Sequence, residues 1–193
     1  YNNFINDDFI GNNSKLSGFG STTHISIIDK DENIASVTTT NGEGCGYFVP
    51  EYGIMMNNML GEEDLNPYGY HKWQSVRRLP TMICPTIILK NNKPFYILGS
   101  GGSNRIRSAI SQVIINLIIK GMTLDEAISA PRVHLEGNEL FTEPGINLPD
   151  DKYLDHLKIS SFTDKSLFFG GVNCVSLNQA IGDARRGGIG EVF

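Results

Sequence analysis

Two short runs of β-branched residues, His24–Ile28 and Ile34–Thr40, flank the polar cluster Asp29-Lys30-Asp31-Glu32-Asn33, a pattern that predicts a β-hairpin. If Ile28 lies opposite Ile34, the same register sets Thr22 opposite Thr40, with Cβ atoms ~4.5–5.5 Å apart. A slip of one residue would turn Thr40 to the other face. A second hairpin is predicted from Thr86–Leu89 and Pro94–Leu98 around Lys90-Asn91-Asn92-Lys93. Its near-continuous apolar strands suit a sheet covered on both faces. The glycine-rich Gly99–Asn104 then leads into a helix expected from about Arg105 to Lys120, with Ile106, Ile110, Val113 and Leu117 on its apolar face and Gly121 as its stop. Thr123 and Glu126 have capping-box spacing for a short helix that ends before Pro131. A third hairpin is expected around Gly137-Asn138, a helix over 150–159, and two late strands from Phe168 onward. Gly182-Asp183 reads as the last turn, and the tail Arg185-Arg186-Gly187-Gly188 as surface.

Between the first two hairpins lie a flexible loop, Gly42–Gly46, and a polar stretch, Gly61–Gln74, too long for a plain connection. Residues 1–20, rich in Asn, Asp, Gly and Ser, read as loop.

The 193 residues are 40% hydrophobic and 19% charged, as expected of one globular domain, and no repeat or low-complexity linker divides them. The net charge of −5, without long basic runs, points away from nucleic acid and anionic membranes as partners. No run approaches the ~20 apolar residues of a membrane span. Cys45, Cys84 and Cys174 are far apart and odd in number, so they read as free and mostly buried thiols. His24, His71, His134 and His156 lack metal-ligand spacing, and neither metal nor organic cofactor is expected. The chain begins on Tyr1, which suggests a fragment or a processed product.

Three features carry candidate chemistry. Thr22 follows Gly18-Phe19-Gly20 and Ser21. A threonine hydroxyl needs a base, and an N-terminal threonine brings one in its α-amine, with a pKa near ~8. The strand–glycine–helix unit at Gly99–Asn104 presents backbone N–H groups to an anion, either a phosphate or a developing oxyanion. Asn104 stands where a dinucleotide fingerprint wants glycine, and no P-loop lysine follows. Glu62-Glu63-Asp64 form an acidic cluster suited to a cation or an amino group.

The motifs Thr22-Thr23-His24-Ile25-Ser26-Ile27-Ile28-Asp29, Ser36-Val37-Thr38-Thr39-Thr40-Asn41, Gly53-Ile54-Met55-Met56-Asn57-Asn58, Cys84-Pro85-Thr86-Ile87, Gly99-Ser100-Gly101-Gly102-Ser103-Asn104-Arg105-Ile106 and Ala130-Pro131-Arg132 occur in this order. Together they resemble the small subunit of γ-glutamyltransferases (γ-glutamyltranspeptidases). The resemblance implies an α+β fold, the αββα four-layer sandwich of N-terminal nucleophile (Ntn) hydrolases, of which this chain would supply about half. It implies that residues 1–21 are the tail of the large subunit, that 22–193 are the small catalytic subunit, and that the precursor cuts itself between Ser21 and Thr22. The partner is then the large subunit, which brings an arginine for the substrate α-carboxylate.

Position by position, the resemblance makes Thr22 the nucleophile, Thr40 its hydrogen-bonding partner, and Gly102 and Ser103 the oxyanion donors. Asn41 matches a residue lining the glutamyl site. Glu62 aligns best with the carboxylate that holds the α-amino group, with Glu63 and Asp64 as alternatives. Many members have a Ser-Ser pair against the α-carboxylate where this chain has Thr81-Met82. Thr81 can donate one hydrogen bond and the Met82 side chain none, which sets this chain apart in substrate choice. The activity implied is γ-glutamyl transfer to water, an amino acid or a peptide. The alternatives are a related acylase acting on another amide and a catalytically silent anion-binding or structural domain. Periplasmic, extracellular and cytoplasmic locations all stay open.

Overall fold

The computed structural model describes residues 22–74, 78–150 and 152–193. Ser21 and the loop expected over residues 1–20 lie outside the described residues. Strands β1 (Thr23–Ile28) and β2 (Ile34–Thr39) form the first hairpin. Ile28 pairs with Ile34 and Thr23 with Thr39, the register expected from the turn cluster. Asp29 builds that turn by accepting the N–H groups of Asp31 and Asn33. A two-residue ladder, β3 (Phe48–Val49) with β4 (Ile54–Met55), follows. Next come β5 (Thr86–Lys90) and β6 (Lys93–Gly101), then helix α1 (Arg105–Ile114), which continues as a π-helical turn over Ile115–Ile119. Helix α2 (Leu124–Ser129) starts in the expected capping box, with Thr123 and Glu126 exchanging side-chain and backbone bonds. Strands β7 (Val133–Glu136), β8 (Glu139–Thr142) and β9 (Lys158–Ser161) make a three-stranded sheet, and β10 (Gly171–Ser176) and β11 (Gln179–Ile181) complete the set.

The central sheet has the order β11-β10-β6-β5 and is antiparallel throughout. One face of β6, with Leu98, packs with Val172 and Cys174 of β10 against Ile106, Ile110 and Val113 of α1 and Leu124 and Ile128 of α2. On the other face β1 and β2 lie across it. That contact depends on two glycines. A Cβ on Gly99 would stand 2.3 Å from the His24 ring, and one on Gly101 would stand 2.6 Å from the Thr22 carbonyl oxygen. Helices, a four-stranded sheet and a hairpin thus stack as three layers of mixed helix and strand.

The hairpin is amphipathic in the unusual sense. Its inner face is polar: His24 Nδ1 and Nε2 bond the Thr38 and Ser26 hydroxyls, each at 2.7 Å, and Asn173 Nδ2 donates to the His24 carbonyl. Its outer face is apolar and uncovered, with Ile25, Ile27 and Val37 about half exposed.

Burial lowers the His24 pKa from the ordinary 6.5 to about 4. Above pH 6.5 the ring is neutral in both states. As pH falls from 6.5 toward 4, the unfolded chain gains a proton that the folded ring refuses, so stability is lost over that window, by about 3 kcal/mol at most. Urea unfolding at pH 7 and pH 4.5 is expected to show this slope, and His24→Gln to flatten it.

The structure corrects four expectations. Residues 152–157 form turns, and 158–161 are strand, not helix, because Lys158–Ser161 find the open edge of β8 and pair with it in parallel. The last turn lies at Ala184–Arg186 and not at Gly182-Asp183; Asp183, 1% exposed, caps it. The tail is not all surface, since the Arg185 side chain is buried in ion pairs with Glu143 and Asp183. Of the three thiols, Cys45 and Cys84 are exposed; only Cys174 is buried, and burial raises its pKa to about 12.

Candidate active site

Thr22, at the entry to β1, and Thr40, just past the end of β2, bring their hydroxyls to 2.8 Å. The Gly42 N–H donates to Thr40 Oγ1 at 2.9 Å, which fixes the Thr40 hydroxyl beside its neighbour. Thr22 is seated on Gly101, and the next two residues form the loop into α1. Gly102 (φ 134°) and Ser103 (φ 52°) are both in positive-φ conformations. Their carbonyls accept the N–H groups of Arg105 and Ile106, which ties the loop into the first turn of α1. Gly102 packs so closely on Gly170 that a Cβ there would lie 2.8 Å from the Gly170 Cα.

These residues share a cavity that is open to solvent. Thr22, Thr40, Glu62, Thr81, Met82, Gly102 and Ser103, all expected from the sequence, line it. Asn41 and Glu63 do not. Asn41 is exposed and donates through Nδ2 to the Met55 carbonyl, and Glu63 is exposed on the 3-10 turn Glu63–Leu65. The polar stretch that presents Glu62 is wound around buried Asn66. Its Nδ2 donates to the carbonyls of Leu60 and Glu62, and its Oδ1 accepts Trp73 Nε1. Glu62 Oε1 is buried with no hydrogen-bond partner among the described residues. Burial, then the charges of Glu43 and Asp64, push the Glu62 pKa above the ordinary carboxylate range. An ammonium group placed there would satisfy the oxygen and offset that repulsion.

Sequence reading missed Gly42, Glu43, Arg105 and Arg186, which also line the cavity. A signal existed for Gly42. It stands in a glycine-rich loop, and a Cβ there would come within 2.0 Å of Glu62 Oε1. Arg186 sits in a segment whose composition reads as surface. Among the described residues no group of three or more His, Cys, Asp or Glu side chains is placed to hold a metal ion, and no helix is long and apolar enough to cross a membrane.

The seat under Thr22 gives a direct test. Gly101→Ala forces the Thr22 carbonyl away from β6, and a displacement near 1 Å is expected to lower turnover by about a hundredfold. Steady-state kinetics on the folded variant would show it.

Solved structures that share the fold include gamma-glutamyltranspeptidases, the transpeptidase CapD and a cephalosporin acylase. The transpeptidase enzyme CapD of Bacillus anthracis superposes with a TM-score of 0.70 and 27% identity, covering 89% of this chain and 99% of that one. The family model described as Gamma-glutamyltranspeptidase matches residues 6–190, and the chain belongs to this family. It is 38% identical over 117 residues to the glutathione hydrolase proenzyme of Bacillus subtilis (strain 168), covering 60% of this chain and 20% of the relative. It is 35% identical over 127 residues to the acylase ACY 1 proenzyme of Pseudomonas sp. (strain SE83), covering 65% and 23%. The chain thus spans about a fifth to a third of the length of the curated relatives it matches.

Proposed function

We propose that this chain carries the catalytic half of a γ-glutamyl transferase or hydrolase. Residues 22–193 are its small subunit and residues 1–21 the tail of the large one, released by a cut between Ser21 and Thr22. The freed Thr22 attacks the γ-amide carbonyl through Oγ1 while its own α-amine takes the hydroxyl proton; the amide C–N bond then breaks, the proton passes to the leaving amine, and a threonyl ester remains. Thr40 holds the attacking hydroxyl in place. The N–H groups of Gly102 and Ser103 receive the tetrahedral oxyanion, each worth about 3 kcal/mol. Water, an amino acid or a peptide then resolves the ester, and the route asks for no cofactor or metal. The large subunit covers the apolar outer face of the hairpin and completes a four-layer αββα sandwich, of which this chain is about half.

The observation that carries this reading is the 2.8 Å hydroxyl pair, in one cavity with Gly102, Ser103 and the unpartnered Glu62 oxygen. Glu62, inside the cavity, is the carboxylate for the substrate α-amino group, in preference to exposed Glu63. Thr81 and Met82 border the acyl group. A carboxylate awaiting an ammonium also favours a glutamyl donor over the neutral acyl group of a general acylase.

The test is to express the chain within its full precursor, measure the intact mass, and then compare donors. Two chains divided at Ser21–Thr22 are expected, with turnover of a γ-glutamyl amide at least a hundredfold above that of the same amide lacking its α-amino group. Equal turnover of the two would identify an acylase, and an uncut chain without turnover would overturn the proposal.

A further inference from the structure

The γ-glutamyl-transfer reading uses the hydroxyl pair, the loop amides and an acidic residue, and leaves two cations of the cavity lining without a task. Arg105 opens α1, and Arg186 ends the 3-10 turn that Asp183 caps; both line the cavity with Thr22 and Gly102. The Arg186 guanidinium lies against the oxyanion loop, since a Cβ on Gly102 would stand 3.6 Å from its Nη2. Among the described residues, Nη2 donates to the Leu167 carbonyl at 3.3 Å and Nε is buried with no partner. Arg105 is held in place by the Phe168 carbonyl at 3.1 Å and by the Phe168 ring, 4.7 Å from its guanidinium carbon. Neither arginine forms an ion pair among the described residues.

The contrast with the adjacent residue is informative. Arg185 meets two carboxylates, Glu143 and Asp183, and spends its donors on them and on backbone carbonyls. Arg186, one residue on, has burial and the charge of Arg105 against it, and both lower its pKa from the ordinary guanidinium value. Two cations that repel each other across one cavity wall, one with an orphan donor, are arranged to meet an anion.

We propose that Arg186 and Arg105 form a carboxylate subsite for the substrate, beside Gly102 in the same cavity. The ligand class is a γ-glutamyl peptide bearing a free carboxylate, on either the leaving group or the glutamyl α-carbon. The inference rests on the proposed function, and one experiment separates the two. The assembled, processed enzyme is given γ-glutamylglycine, its C-terminal amide, and the analogue with the glutamyl α-carboxylate amidated. Wild type is expected to favour γ-glutamylglycine over at least one neutralised analogue by at least about tenfold in kcat/KM. Arg186→Gln is expected to erase that preference mainly through KM, leaving the neutralised donor within about threefold of wild type, and Arg186→Lys to restore part of it. The analogue whose penalty disappears identifies which carboxylate is held. If Arg186→Gln is not processed, Arg105→Gln carries the same comparison. Equal use of charged and neutral donors by wild type, or an equal loss on both in the variant, overturns the subsite while leaving the transferase reading intact. No turnover of any γ-glutamyl donor overturns both.

Discussion

Thr22→Ala is expected to leave the precursor as a single chain and to remove turnover of γ-glutamyl amides, by about 10⁴-fold or more. The variant deletes the only atom proposed to form the ester, and the same atom is proposed to attack the bond before it. Thr22→Ser keeps the hydroxyl and is expected to be cut and active, though slower. Thr40→Val keeps the shape of the partner and removes its 2.8 Å contact, so cutting and turnover should both fall by roughly ten- to a hundredfold, the typical scale for a group that assists proton movement. Intact mass reads the first step and donor kinetics the second. A cut, active Thr22→Ala protein would end the nucleophile assignment.

Asp183→Ala is expected to destabilise the fold by about 3–5 kcal/mol, the usual result of stranding a buried charge. Asp183 Oδ2 accepts Arg132 Nη2 at 2.7 Å and the Val172 N–H, and Oδ1 accepts the Arg185 N–H and Nη1. Arg132 is 1% exposed, and its remaining bonds run to the carbonyls of Ile128, Phe169 and Gly170. Without Asp183 its guanidinium stays buried and loses its ion-pair partner. The effect should reach the site as well, because Gly170 lies directly beneath Gly102. An exposed pair gives the comparison. Lys93 and Glu32 approach to 3.7 Å with both side chains in solvent, and Lys93→Ala is expected to cost under about 1 kcal/mol. Urea midpoints of the two variants would separate these cases.

The same network marks where the sequence becomes hard to read. The first hairpin was legible because local turn chemistry and a two-residue period fix its register, so Thr22 and Thr40 came together on paper. The capping box at Thr123 was legible for a similar reason, as both partners lie within one turn. Asp183 and Arg185 are different. Their partners, Arg132 and Glu143, lie some forty to fifty residues earlier, and charged residues next to glycines resemble surface until that packing is known. Strand β9 was misread because its pairing is parallel and distant, with no turn to announce it. Within the site, the alternation of the hairpin could bring the two threonines together. The placing of Glu62, Thr81 and Met82 on one cavity wall came through family likeness, since no spacing rule links them. Arg186 had neither signal.

The inverted hairpin has a consequence for control. A strand usually holds its place by burying its own apolar side chains, but β1 turns hydroxyls and an imidazole inward and leaves Ile25 and Ile27 outward. In the proposed assembly, covering Ile25 and Ile27 would add to the bonds that already hold β1, through the linkage by which a bound partner stabilises the state it binds. The reactive hydroxyl is then coupled to assembly: whatever covers Ile25 and Ile27 acts on the same strand at whose entry Thr22 stands.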